Sequence, residues 1–525
     1  MQNLSISGCD PTEPSRLTRA FRLALLTTAL LLPTIATAQT SSGPVGAGRT
    51  AVADATGTAT AAIGEAQQVD RYLETQMERL QIPGLAVAVV KDGQMVLTRN
   101  YGTASIEFGV PVNEDTVFAV NSVTKAFTGV AAMRLVEQGK LDLSAPVGRY
   151  LTDLPEAWRA VTIGQLLSHM SGLPDIMRAP TVETDASVAW AWVQTQPIRF
   201  SPGDRFNYCQ TNYTLIQRIV NQIEGRVLDA PLATEQIRIA AMSRTAYGDA
   251  YTVIPGKAPT YRWTLGGPLI TGYRAAASTA PSTLTATSER FLPFRRASSG
   301  LNSTAGDMAR WMIALQSGQM LTAESLKTLW TPVAFNDGTP GQWGMGWQSF
   351  TRGHHRAVGM TGGGRAAVFL YPDDEVGVVI LTNLTGAFPE DMVDKIASLY
   401  APDLDLSGVP ALRIALEEGG YDQILAAAAA IEAKSPGLVW PEMELNDWGY
   451  RLLSTGRARE ALQIFRLVAD RYPNSANAHD SLAQGSLVNG DDAAALTHYR
   501  RALELDPLNT DAARHIAELT DTAQQ

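Results

Sequence analysis

Two groups of apolar runs stand far apart along the chain, and each reads as a strand pair. In the first, Gly84-Leu85-Ala86-Val87-Ala88-Val89-Val90 and Gln94-Met95-Val96-Leu97-Thr98-Arg99 flank Lys91-Asp92-Gly93; an Asp-Gly step between β-prone runs predicts a hairpin. In the second, Ala366-Ala367-Val368-Phe369-Leu370-Tyr371 and Val376-Gly377-Val378-Val379-Ile380-Leu381 flank Pro372-Asp373-Asp374-Glu375. Between them the pattern turns helical. A helix over Ala66 to Leu80 precedes the first hairpin. Another, opened near Ser122, carries Phe127, Val130, Ala131, Met133, Leu135 and Val136 round its circumference, which predicts burial on most sides. Gly139 is its natural stop. A further helical pattern follows Tyr213, and the Thr/Ser/Ala/Pro-rich stretch from Ala275 to Ser288 predicts a mobile loop. Strand pairs at both ends with helices between predict an α/β (α+β) fold: one antiparallel sheet built from the two ends, flanked by helices, with a helical subdomain inserted.

After Tyr400 the chain becomes rich in Ala, Leu, Glu and Arg. Positions 34 apart pair Gly456 with Gly490, Ala461 with Ala495, Phe465 with Tyr499 and Pro473 with Pro507, which resembles the tetratricopeptide repeat of two helices per unit. A degraded third unit is expected around Gly420, Tyr421 and Ile424. Small residues are expected where helices cross, with aromatics filling between them.

Length and composition place limits on the rest. At 525 residues the chain exceeds one ordinary domain; its 45% hydrophobic and 18% charged content is that of a soluble protein with a substantial core. The net charge of −10 argues against a nucleic-acid partner. Arg16, Arg19 and Arg22 precede an apolar run from Leu23 to Leu32, and Ala36-Thr37-Ala38 offers a cleavage site before Gln39. This predicts an export signal, hence a periplasmic destination, with no transmembrane segment once the signal is removed. Cys9 would leave with it, leaving Cys209 unpaired.

The chemistry centres on Ser122-Val123-Thr124-Lys125. Positions three apart on a helix are neighbours, so a hydroxyl would stand beside an amine. Of the chain's lysines, only Lys125 has a serine three residues before it and an apolar helix after it. An amine among apolar walls loses its proton near neutrality, which a guanidinium does not. Further blocks follow in order: Leu166 to Pro174 (LLSHMSGLP), Pro202 to Tyr213 (PGDRFNYCQTNY), Gly300 to Ala305 (GLNSTA), Gly344 to Trp347 (GMGW) and Gly359 to Gly363 (GMTGG). From about Leu80 to Leu399 the chain therefore resembles the serine hydrolases of the β-lactamase and penicillin-binding-protein superfamily, in the branch of class C β-lactamases, esterases and D-amino-acid peptidases.

That resemblance implies Ser122 as the acylated nucleophile, Lys125 as its base or proton relay and Tyr208 as a second proton carrier, its phenol made more acidic by the neighbouring ammonium. It implies an oxyanion hole from the N–H groups of Ser122 and Gly363, and substrate contacts from Gln210, Met360, Thr361 and Gly362. Two positions depart from the family pattern. Tyr208-Cys209-Gln210 replaces Tyr-x-Asn, and Met360 stands where relatives place Lys or His. Loss of that cation weakens recognition of a substrate carboxylate, and Arg365 is a candidate to restore it. The expected function is cleavage of an ester or amide, with β-lactams and D-amino-acid peptides as further candidates and neutral esters or amides preferred. The alternatives are a catalytically weakened binding protein on the same fold and an envelope scaffold working through the repeats.

No cofactor or metal is implied. His354 and His355 are adjacent, and adjacent side chains on a strand point apart. His169 reads as a loop clamp, Cys209 as a packed small residue, and Trp343 and Trp347 as cleft or core residues. Gly362-Gly363-Gly364 precedes a strand rather than opening a helix, so backbone approach to substrate is a better reading than phosphate binding. The expected organisation is a signal peptide over 1–38, a flexible leader over 39–65, the hydrolase domain over 66–405 and the repeats over 406–525. The expected partners are a small-molecule or peptide substrate and, through the repeats, a protein.

Overall fold

The computed structural model describes residues 56–225, 231–266, 269–270, 273–274, 282–404 and 406–522; the expected signal and most of the leader lie outside them. The first helix, Thr56–Leu80, begins ten residues before the expected Ala66. Its extra turns mix Ala59, Ala61 and Ala62 with weaker helix formers, and extending an existing helix needs no new nucleus.

The central sheet has seven strands: β1 (Gly84–Lys91), β2 (Gln94–Ser105), β3 (Val110–Pro111), β4 (Gln348–Arg352), β5 (His355–Gly362), β6 (Ala366–Tyr371) and β7 (Val376–Thr382). Their order is β4-β5-β6-β7-β1-β2-β3. Leu85 pairs with Thr382 and Lys91 with Val376, both antiparallel, so the two ends of the domain meet in one sheet as the apolar runs imply. Asp92 and Gly93 both take positive φ in the first hairpin turn, the conformation that the Asp-Gly pair favours. Alternation along the strands divides the core. Ala86, Ala88, Val358, Met360 and Val368 face the helical insert, while Leu85, Val87, Ala357, Phe369 and Ile380 face helices Thr56–Leu80 and Glu390–Tyr400.

Two expectations about loops are revised. Ala275 to Pro281 lies outside the described residues, but Thr283–Thr287 is a strand paired with Thr260–Thr264; its Thr-Leu-Thr-Ala-Thr alternation has the two-residue period and β-branched content of a strand. His354 lies in the turn before β5, not on a strand, and its ring sits 3.9 Å from that of His355. His355 Nδ1 meets Asp374 Oδ1 at 2.8 Å and its Nε2 meets the Asp403 carbonyl at 3.0 Å. With both ring nitrogens engaged, His355 acts as a hairpin tie.

The C-terminal tail is helical. Hairpins Gly408–Gly419/Ile424–Lys434, Glu442–Ser454/Ala458–Arg471 and Ala476–Val488/Asp492–Leu505 are followed by Thr510–Thr522. Ala461, Phe465, Ala495 and Tyr499 are buried. Gly456 and Gly490 sit at the hairpin turns with φ of 79° and 81°, not at helix crossings. Close approach is instead made by Gly449 and Gly485, where an added Cβ would lie 2.4 and 2.8 Å from the Phe465 ring. No described helix is long and apolar enough to cross a membrane.

Candidate active site

Ser122 is not a helix cap. It lies inside a 3-10 turn, Asn121–Val123, that runs directly into helix Thr124–Glu137. Asn121 enters the turn with φ of 43°, and its carbonyl accepts the Thr124 hydroxyl at 2.6 Å. A three-residue turn nearly eclipses positions i and i+3, which brings Lys125 Nζ to 3.3 Å from Ser122 Oγ. Ser122 keeps partial exposure whereas Lys125 is fully buried.

Burial pushes the Lys125 amine well below its ordinary value, and repulsion from Arg295 adds to this, opposed by Asp175 and Cys209. The second Nζ contact is the Ser298 carbonyl at 3.0 Å. A neutral amine can donate one N–H there and still offer its lone pair to the serine proton.

Tyr208 completes the triangle. Lys125 Nζ stands 4.8 Å from the centre of its ring, and Ser122 and Gln210 are close enough to act on its phenol. The expected acidification of this phenol is not found. Burial pushes it up to about 12 and Asp175 adds to this, with Ser122 and Gln210 pulling the other way. Tyr208 still has 36% of its surface accessible, so solvent moderates the shift. At neutral pH it is a hydrogen-bond donor rather than a base. Gln210 opens helix Gln210–Glu224, its N–H donating to Asp175 Oδ1 at 3.1 Å. Its Oε1 is buried without a partner among the described residues.

The end of β5 lies against the serine turn. A Cβ on Gly362 would sit 2.0 Å from the Val120 carbonyl and 3.3 Å from Ser122 N, so only glycine permits this approach. Gly363 and Gly364 then turn with φ of 59° and 63°. No hydrogen-bond partner within the described residues takes the N–H of Ser122 or Gly363, which leaves both free for a ligand oxygen.

Other expected substrate contacts separate by strand parity. Met360 is buried on the serine-helix face. Thr361 turns to the opposite face, where it lines a cavity with Phe350, Phe369 and Asp394; it is not brought to Ser122. Arg365 is 1% exposed and committed to an ion pair with Glu289 and to Thr385 Oγ1 at 2.8 Å, so it presents no free charge in place of the missing one. His169 holds the Tyr208 loop: its Nδ1 accepts the Cys209 N–H at 3.1 Å and its carbonyl the Asn207 N–H at 2.8 Å. Cys209 is buried and unpaired. Trp343 packs 5.7 Å from Tyr208, whereas Trp347 stacks on Trp311 in the core.

Sequence reasoning missed Ser298, Asp175, Asn121 and Glu289. Asn121 directly precedes the nucleophile and could have been weighed. Ser298 acts through its carbonyl 173 positions away, and no residue type marks that role.

A seven-stranded antiparallel sheet with a Ser-x-x-Lys helix packed on one face defines a serine-hydrolase-type α+β protein. The family model described as Beta-lactamase matches residues 69–401, and the chain belongs to that family. It is 23% identical over 352 residues to Protein flp of Staphylococcus aureus strain MW2, a match covering 63% of this chain and 65% of that protein. A Beta-lactamase of Yersinia enterocolitica is 36% identical over 149 residues, 28% of this chain and 38% of that one. The chain thus spans less than two-thirds of either relative. The octameric penicillin-binding protein homologue from Pyrococcus abyssi has a similar fold, with a TM-score of 0.54 and 19% identity, covering 67% of this chain and 81% of that one.

Proposed function

We propose that the protein is an exported serine hydrolase that cleaves esters or amides through an acyl-enzyme on Ser122. The observation that carries this reading is the fully buried amine of Lys125, pushed well below its ordinary pKa by burial and 3.3 Å from a partly exposed hydroxyl. Lys125 takes the Ser122 proton as Oγ attacks the carbonyl carbon, and the Ser122 and Gly363 N–H groups receive the oxyanion. Tyr208, a phenol beside Ser122 that is protonated at neutral pH, passes its proton to the leaving group and is reprotonated through Lys125. Water then repeats the attack on the acyl-enzyme and releases the acid. With Met360 neutral and Arg365 paired, substrates lacking a carboxylate near the scissile bond are preferred over β-lactams.

A fluorophosphonate probe tests the reading. Labelling of the wild type that disappears in Ser122→Ala supports it, and faster turnover of a chromogenic cephalosporin than of matched acyl esters would overturn the substrate preference. The competing reading, a binding protein on this fold, is favoured by Met360 and by the unpartnered Gln210 Oε1; a folded wild type that takes no probe supports it instead.

A further inference from the structure

The two proposed oxyanion donors belong to separate turns with no backbone ladder between them. Ser122 follows Asn121 at φ 43°, and Gly363 begins a pair of positive-φ glycines. Strand β5 pairs only with β4 and β6 within the sheet, so sheet register does not set the distance between the two N–H groups. One acidic side chain bridges them. Glu289 accepts from Asn121 Nδ2 at 3.4 Å through Oε1 and 3.2 Å through Oε2, and Oε2 also pairs with Arg365 Nη2.

Both ends of this bridge are anchored. Asn121 is the residue before Ser122, and its amide lies against Gly363: a Cβ there would meet Asn121 Nδ2 at 2.6 Å and Arg365 Nη2 at 3.3 Å. Arg365 N donates to the Gly362 carbonyl at 3.0 Å and its carbonyl accepts the Thr382 N–H at 2.8 Å. Its guanidinium is buried, with Nη1 on Thr385 Oγ1. Because Arg365 offsets the carboxylate's charge, Glu289 can stand close to a forming oxyanion without repelling it as a lone anion would.

We propose that Glu289 is a positioning residue that straps the Ser122 turn to the Gly363 turn and so fixes the spacing of the oxyanion donors. This rests on the hydrolase reading above. Donors that must be preorganised lose effectiveness when displaced by a fraction of an ångström, so the strap acts on the transition state more than on substrate binding.

The test compares wild type, Glu289→Gln, Asn121→Gly and the double variant on an oxygen ester and its thionoester analogue, whose sulfur is a poor partner for the donors. Asn121→Gly cuts the strap while leaving Arg365 paired and suits the positive φ, so it remains informative if Glu289→Gln folds poorly. Both single variants are expected to lose about tenfold in kcat with KM nearly unchanged, to lower the ester-to-thionoester ratio of kcat/KM, and to combine without further loss. A folded Asn121→Gly with wild-type kcat and wild-type ratio overturns the strap alone. A wild type that neither hydrolyses esters nor accepts a phosphonate overturns the hydrolase reading and this proposal with it.

Discussion

In the proposed mechanism Lys125 is a residue unfavourable for folding and necessary for chemistry. Its folded-state value is depressed, so between that value and the unfolded one, about 10.4, the unfolded chain binds the extra proton and stability rises with pH. The penalty vanishes above about pH 10.4, grows as pH falls, and is complete below the folded value. Lys125→Met is therefore expected to abolish hydrolysis and to raise Tm by roughly 2 °C or more at neutral pH. Thermal scans of both proteins from pH 6 to 10 check this; a Tm gain that failed to shrink toward high pH would contradict the assignment. The wild-type rate should fall on the acid side as the amine gains its proton.

At the scale of elements, the meeting of β5 with the serine turn depends on the absence of side chains. Gly362→Ala would place a Cβ 2.0 Å from the Val120 carbonyl, which only separation of strand and turn can relieve. The expected result is at least a tenfold loss of kcat with a loss of roughly 1–3 kcal/mol in stability, read from steady-state kinetics and urea melts. A wild-type rate in a folded variant would mean that Gly363 N–H is not an oxyanion donor. The hairpins, the Ser-x-x-Lys spacing and the buried helix were legible because each is a local pattern of a few residues. Strand parity at β5 is legible too, although a motif taken as one block conceals it; alternation sends Met360 and Thr361 to opposite faces.

At the scale of the molecule, the tail is built into the β-lactamase-family domain. Arg352, buried on β4, binds Asp394 Oδ1 at 3.1 Å and tail residue Glu444 at 2.8 and 3.1 Å, while Asp391 binds tail residues Arg413 and Arg451 at 3.1 and 2.9 Å. The turn at Gly456 lies against Leu265, and Ile270 and Tyr273 pack into the tail's own apolar cluster. Glu444→Gln is expected to cost about 1–3 kcal/mol, less than a fully buried broken pair because Arg352 keeps Asp394. Differential scanning calorimetry measures it. Truncation after Ser407 uncovers these charges together, so a soluble truncated protein with an unchanged Tm would show the tail to be an independent module.

Local pattern was sufficient for the strand pairs, the helical tail and the residue types around Ser122, because hydrophobic period and turn chemistry act over a few neighbouring positions. It could not reveal that burial lowers the pKa of the Lys125 amine, that burial raises that of the Tyr208 phenol, or that Arg365 is occupied by Glu289. Those outcomes depend on dehydration and on partners brought together from distant parts of the chain, and neither exists until the sheet and the insert have closed around the site.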